Sequence, residues 1–424
     1  MLKLILIGAG QRGTIYADYA YYNRKAEIKA IVEPNLERRS IAQNKYEVSP
    51  EFVFDNFQLF LDKGKIGDAV ILSSMDKNHY EQAMSLLDLG YDLLLEKPIS
   101  PEPQECIKIR DKANALGRKV IVCHVLRYTS FFSTIKEIID SNQLGKIVSI
   151  QHNENIGNFH MAHSFVRGNW RKSSETSPLV MQKSCHDMDI LSWLIGSEAK
   201  SISSFGDLQY FKASNAPANS TNRCLHCPAA ENCRFDARKM YLPIRGDWPA
   251  TVVSPDQSEE GLLKALETSP YGRCVYRCDN DVCDNQVSII QFKNGVNVSF
   301  TLSAFTNKMS RTLKIMCENG EIRGDDSLNR IEVIPFASNQ SDSQTAQLIT
   351  PKIVSGFHGG GDTGLMQDFF NIMESESNEN ESRSSIDRSV ESHIMAYAAE
   401  LSRVSRKSID IDELKHSLSE ETAR

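Results

Sequence analysis

Apolar and polar positions follow two rhythms along this chain. Up to about residue 123, short β-rich apolar runs recur between stretches of helical periodicity. "KLILIGAG", "EIKAIVEPN", "IGDAVILSS", "YDLLLEKP" and "RKVIVCHV" read as strands, with "YEQAMSLLDLG" and "EPQECIKIRDKANALG" as helices between them. Such alternation predicts βα units and a mostly parallel sheet. Beyond it, "TSFFSTIKEIIDSNQLG" reads as a helix closed by glycine and "KIVSIQHNENIG" as a strand. Two pairs of alternating runs then meet at Asn294-Gly295 and Asn319-Gly320, the turn chemistry of β-hairpins. The second half is therefore expected to be α+β, an open, largely antiparallel sheet with helices on one face. "LMQDFFNIM" and "RSVESHIMAYAAELSRVSRKS" are late helices, "ESESNENESRSSID" between them a solvated loop, and the polar last residues a fraying tail.

Length and charge narrow the reading. At 424 residues the chain exceeds one ordinary core. The expected division is residues 1–125, then 126–362 with a cysteine-rich insertion at 215–285, then 363–424 as helices and tail. A net charge of −7 offers no basic field for nucleic acid, and no apolar run approaches the roughly 20 residues of a membrane span. "MLKLILIGAGQRG" turns from apolar straight into glycines without a small-residue cleavage site, so it reads as a strand rather than a signal peptide. A cytoplasmic protein is expected, with its ten cysteines as thiols or metal ligands.

The first strand runs into Gly8, Gly10 and Gly13, spaced G-x-G-x-x-G before a predicted helix. That context suits a tight turn, a pyrophosphate lying against backbone, and close helix–strand packing, so the first half is expected to be a Rossmann dinucleotide-binding domain. Gln11 and Arg12 belong to the same loop. Glu33 closes the second strand, where a carboxylate accepts hydrogen bonds from the adenosine ribose and repels a 2′-phosphate. NAD is thus favoured over NADP, although Arg38 and Arg39 stand nearby. Glu96, Lys97 and Pro98 end another apolar strand, at the edge where open α/β folds bind ligands.

"SPLVMQKSCHDMDILSWLIG" projects as a helix with two adjoining stripes. Met181, Cys185, Met188 and Ser192 pack, while Gln182, His186, Asp189 and Trp193 lie beside them and Lys183 points close by. Asp189 is placed to orient the His186 imidazole or to cap a backbone group. A histidine suits removal of a hydroxyl proton near neutrality, and a lysine stabilises the developing alkoxide or binds a carboxylate. "HSFVRGNWRKSS" adds His163, Arg167 and Trp170, types that clamp and stack a sugar, and "GFHGGGDTGLMQDF" adds His358 as a pocket-lining candidate.

The glycine fingerprint, the Glu96-Lys97-Pro98 triplet and the helical His186-x-x-Asp189 resemble the Gfo/Idh/MocA oxidoreductases, from about residue 3 to about residue 405. The resemblance implies a Rossmann domain, a C-terminal sheet domain, NAD(P) between them, carbohydrate or cyclitol substrates, and homodimers or homotetramers built on the sheets. It makes Lys97 and His186 catalytic, with Lys183 beside them, and places Asn78 and His79 near the nicotinamide and His124, Arg127 and Tyr128 near the substrate. Gln182 stands where many members carry an aspartate. The implied activity is hydride transfer between NAD and a sugar, sugar acid or cyclitol. A glycosidase working through transient sugar oxidation, elimination and re-reduction, or a non-catalytic NAD-binding regulator, are the alternatives.

The insertion is outside the family's basic pattern. Cys224 and Cys227 form a C-x₂-C pair, and Cys233 and Cys274 follow. The segment shows no evident core of its own, so a structural zinc held by these four cysteines is expected, with free thiols, a disulfide or an iron–sulfur cluster as alternatives.

Overall fold

The computed structural model describes residues 1–337, 346–354, 356–375, 377 and 379–423. Six parallel strands form the first sheet: β1 Leu2–Ile7, β2 Ala26–Val32, β3 Val53–Phe54, β4 Ala69–Leu72, β5 Asp92–Leu95 and β6 Val120–Val122. Their order, β3-β2-β1-β4-β5-β6, reverses at β1 and opens a crevice beyond the strand ends. The two-residue β3 carries too short a pattern to be legible, whereas the other five are the predicted apolar runs.

Nine strands form the second sheet: β7 Ile147–Asn155, β8 Ala199–Asp207, β9 Asn285–Phe292, β10 Asn297–Ser303, β11 Ser310–Cys317, β12 Gly320–Asp325, β13 Arg330–Pro335, β14 Gln347–Ile349 and β15 Ile409–Asp410. In the order β14-β13-β12-β11-β7-β10-β9-β8-β15 only β7 and β10 pair in parallel. Both Asn-Gly hairpins are present, as β9–β10 and β11–β12. The helix Leu179–Ile195 is buried along most of its length and packs against the helix Ile386–Ser405. The helix Ile386–Ser405 also packs on β8 and on the helix Pro103–Ala115, and so lies between the second sheet and the first domain.

Three expectations change. The helix Gly361–Glu374 returns to the first sheet, where Leu365, Met366, Phe369 and Phe370 join Tyr16 and Ala17 in one core. Of the stretch expected to be a solvated loop, residues 376 and 378 lie outside the described residues, while Ser382, Ser384 and Ser385 are buried. They close the open edge of β6, where the Val122 N–H donates to Ser384 O at 2.9 Å. The tail expected to fray is the helix Ile411–Ala423, anchored by buried Leu414 and Leu418. Among the described residues no helix is long and apolar enough to cross a membrane.

Candidate active site

The glycine loop begins where β1 ends. Gly8 has φ +87°, and a Cβ there would stand 2.5 Å from Ser73 O. A Cβ at Gly13 would meet Gly8 O at 2.2 Å, so the helix Gln11–Tyr22 rests directly on the turn. At Gly10 a Cβ would meet nothing within 4 Å. Gly10 caps that helix without a side-chain hydrogen bond, and no acidic residue lies in the first turn. Unpaired N–H groups therefore face an open cradle, which fits phosphate oxygens. Glu33 is buried and accepts from the Ala9 N–H (2.8 Å) and the Asn35 N–H (2.9 Å), one on each carboxylate oxygen. Each oxygen keeps a lone pair for a ribose hydroxyl. Arg39 is held on the carbonyls of Glu33 (2.6 Å) and Pro34 (3.0 Å). The residues present thus fit a dinucleotide.

Gln11 is exposed beside this cradle, but Arg12 is already engaged. Its guanidinium donates to Glu96 Oε1 at 2.8 Å and also reaches Tyr16 and Asp362. His358 joins this cluster, with Nδ1 2.8 Å from Asp362 Oδ2. The second domain is thereby tied to the glycine loop. Burial alone would raise the Glu96 carboxyl, but Arg12 and Lys97 hold it below its ordinary value.

Lys97 follows β5 directly. Its N–H donates to Glu96 Oε2 and its Nζ to Gln182 O, both at 2.8 Å. Two buried imidazoles hold the backbone just beyond it. The His79 ring lies between Pro98 O (Nδ1, 2.9 Å) and Ser74 O (Nε2, 3.2 Å). The Ile99 N–H donates to His393 Nε2 at 2.8 Å, which leaves the His393 Nδ1–H for Ser389 O at 3.0 Å. Asn78 is exposed at the head of the same loop.

Across from Lys97, the helix Leu179–Ile195 presents Gln182 and His186, both more than nine-tenths buried. His186 Nδ1 and Gln182 Oε1 have no hydrogen-bond partner. Buried polar atoms left unpaired are costly, and these two stand one turn apart on a helix whose Gln182 carbonyl receives the Lys97 ammonium. Burial, then the Lys97 ammonium, hold the His186 imidazole well below its ordinary value, so it is neutral at neutral pH. Lys183 Nζ lies 3.3 Å from Glu154 Oε1, and burial lowers its ammonium despite that carboxylate. Beneath it Arg311 bridges Glu154 (2.6 Å) and Asp187 (2.8 Å), and His152 donates to Asp187 at 2.8 Å. His160, six residues on from Glu154, touches Met309; burial and then Lys183 hold its imidazole well below the ordinary value, so it is neutral at neutral pH.

Several predicted residues lie behind this pocket rather than in it. Asp189 does not orient His186; it takes a two-pronged hydrogen bond from Arg127, 2.7 Å on each arm. His124 is fully buried between the rings of His186 and His393, each centroid 5.6 Å away. Tyr128 bonds Asp368 at 2.7 Å. His163 bonds the Tyr241 hydroxyl at 3.0 Å, and half-buried Trp170 packs on Phe165. Arg167 is completely buried and donates to Arg273 O and Phe235 O, both at 2.7 Å, so it braces the insertion. Glu154, His160, Asp187, Arg311 and His393 were not singled out from sequence, and Asp362, which the sequence offers as a helix cap, instead meets Arg12 and His358. One signal was available: His152 and Glu154 sit two apart on β7 and share its buried face.

The zinc expectation is corrected. All ten cysteines are free, and although Cys224, Cys227, Cys233 and Cys274 border one small cavity, no group of three or more metal-ligating side chains is placed to hold an ion among the described residues. The physical reason is that the insertion has the core its sequence concealed. Phe211, Phe235, Tyr241, Leu262 and Leu266 are all buried, so no metal clip is required to order it.

Comparison with known proteins agrees with this architecture. A family model described as an oxidoreductase family's NAD-binding Rossmann fold matches residues 2–124, and the same family's C-terminal alpha/beta domain matches residues 136–411. A Bacillus subtilis (strain 168) protein named as oxidoreductase YteT is 25% identical over 362 residues, 81% of this chain and 82% of that protein. An inositol 2-dehydrogenase of Corynebacterium glutamicum is 23% identical over 220 residues, spanning 50% of this chain and only 59% of the relative. A levoglucosan dehydrogenase solved with NADH and levoglucosan superposes with a TM-score of 0.69 over 97% of this chain and 99% of that one; at 16% identity this likeness is one of fold.

Proposed function

The chain belongs to the Gfo/Idh/MocA family of NAD-dependent oxidoreductases, and from that premise we propose that it moves hydride between nicotinamide and a secondary hydroxyl of a sugar, sugar acid or cyclitol, with Lys97 and His186 at the reacting oxygen. The observation that carries this reading is the pair of unpartnered buried atoms, His186 Nδ1 and Gln182 Oε1, opposite the Lys97 ammonium.

Gly8, Gly10, Gly13 and Glu33 hold NAD, with its phosphates at the head of the helix Gln11–Tyr22 and its ribose at Glu33. Bound NAD supplies the hydride acceptor, C4 of the nicotinamide. Lys97 Nζ spends one donor on Gln182 O and keeps two for the substrate oxygen, where its charge stabilises the developing alkoxide. His186, neutral in its buried setting, receives the hydroxyl proton on a ring nitrogen. Lys183 and His160 line the adjoining wall and bind the rest of the substrate. His79 and His393 act through the backbone by fixing the turn that aims Lys97. Assembly in the cytoplasm through the outer face of the nine-stranded sheet, where Phe205, Val287 and Ile289 stand exposed, completes the proposal.

The test is a panel of sugars, sugar acids, cyclitols and aryl glycosides offered with NAD, with absorbance followed at about 340 nm, the nicotinamide band. A substrate-dependent rise supports the reading. Turnover without such a rise, with NAD released only on denaturation, favours the glycosidase. Binding of the panel with no turnover leaves the regulator. Light scattering on the same preparation reads the assembly, and a monomer ends that part.

A further inference from the structure

Strands β8 and β9 pair directly, yet the chain leaves the sheet between Asp207 and Asn285 to build the insertion. Asp284 fixes its base by accepting from the N–H groups of Gln209 and Tyr210. From there the insertion returns to the helical stretch 158–167 behind the pocket. Tyr271 stacks on His163 with centroids 4.8 Å apart and planes 11° from parallel. Trp248 stands edge-on to His163 at 5.6 Å and to His160 at 5.1 Å. Met309, which touches His160, stands two residues before Arg311, and Arg311 pairs with Glu154, the partner of Lys183, so the indole lies at the edge of the pocket wall.

Trp248 is also the aromatic residue the insertion leaves uncovered. Tyr210, Phe211, Phe235, Tyr241, Tyr271 and Tyr276 are buried or half-buried, whereas Trp248 is 36% exposed. Its backbone is firmly set: the Asp247 N–H closes a turn onto Ile244 O at 3.0 Å, and Ala250 just beyond is buried. Met309, from the connection between β10 and β11, touches His160 from another direction and is itself 46% exposed. Two unrelated elements thus meet on one imidazole at the pocket wall and both keep apolar surface open. Exposed Arg245, paired with Glu259 at 2.8 Å, and exposed Asp247 lie within three residues of Trp248 along the chain.

We propose that Trp248 and Met309 form a subsite for a second sugar ring, so that the chain acts on a sugar joined to another through a glycosidic bond rather than on a free monosaccharide or cyclitol. A pyranose ring is amphipathic: its C–H face stacks on an indole while its hydroxyls reach polar neighbours. One tryptophan and one methionine are too small a patch for a protein partner, which needs roughly 800 Å² on each side. This inference rests on the carbohydrate reading above.

Steady-state kinetics with free hexoses and hexuronates, against disaccharides built from them, tests it. Wild-type protein should prefer disaccharides by about 10-fold in kcat/KM, the scale of one aromatic stacking contact. Trp248→Ala should remove that preference by raising KM for disaccharides, with monosaccharides within about twofold of wild type, while Trp248→Phe keeps part of it. Unchanged NAD affinity and melting temperature show that the variants fold. Equal losses on both classes, or no disaccharide preference in the wild type, overturn the subsite while leaving the oxidoreductase reading intact. Failure of every sugar to turn over overturns the carbohydrate reading, and the subsite with it.

Discussion

The pocket beneath Lys97 and the insertion around Arg167 both bury positive charge, and they treat it in opposite ways. In the insertion Arg167 finds two carbonyls, a thioether and the Cys224 thiol. In the pocket His186 and Gln182 each keep a buried polar atom without a partner, and Lys97 leans on a single carbonyl. Burial of charge therefore does not distinguish a working site from a brace. Arg167 differs in that its own contacts are complete, whereas unpaired buried atoms occur in both regions, at Arg223, Ser269 and Asn280 in the insertion as at Gln182 and His186 in the pocket; only in the pocket do they stand with a lysine that keeps donors free.

The strongest way to break this comparison is to truncate both regions. Lys97→Ala and His186→Ala should each lower turnover by about 10²–10⁴-fold, the scale of a lost acid–base group, with little change in thermal stability or NAD affinity. Arg167→Ala should do the reverse, costing about 3 kcal/mol in denaturant melts by leaving buried carbonyls unpaired. Kinetics and melts on the three variants decide the matter. An Arg167→Ala protein that melts normally but fails to turn over would move that arginine into the site. Lys183→Ala sharpens the picture at the pocket wall, where KM should rise more than kcat falls.

A second test uses pH. Burial pushes His163, against the insertion, and His393, under Lys97, down to about 3, and holds His124, His160 and His186 well below the ordinary value. In the unfolded chain each titrates near 6.5, so below that pH the unfolded state binds more protons and stability falls as pH falls. Each such imidazole contributes a slope of about 1.4 kcal/mol per pH unit until its folded value is reached. Melts between pH 7 and pH 4 should show the loss, and His163→Gln or His393→Asn should flatten it. An unchanged acid slope in both variants would remove these two rings as its source. The smallest effect concerns Glu33, whose carboxylate is half committed to backbone amides. NAD should still bind about tenfold more tightly than NADP, and a titration showing equal affinities would pass the choice to Arg38 and Arg39.

Much of the architecture was legible because its signals are local. The glycine spacing, the Asn-Gly hairpins and the apolar strand runs each lie within a few residues, and each element formed where it was read. Lys97 and His186 were singled out for a related reason, since each sits in a short motif, and the fold brings Lys97 Nζ to the Gln182 carbonyl one turn before His186. The insertion was misread because its apolar residues, Phe211, Phe235, Tyr241 and Leu266, are scattered among prolines and cysteines without either periodicity. Its thiols drew attention to a metal, while the core that orders it came from aromatic packing. Arg167 was read as a ligand clamp because charge and aromatic neighbours look the same in a brace and in a site.

The sequence by itself determined the strands of the two sheets and the glycine turn before the first helix, because turn chemistry and hydrophobic period act over the span of one element. Only the tertiary structure decided which polar groups would be satisfied. Ile99 meets His393, Arg311 meets Glu154 and Asp187, and Trp248 meets His160 across separations that no local pattern encodes. A hydrogen bond or ring contact needs its partners within a few ångströms, and those distances exist only once the chain has folded.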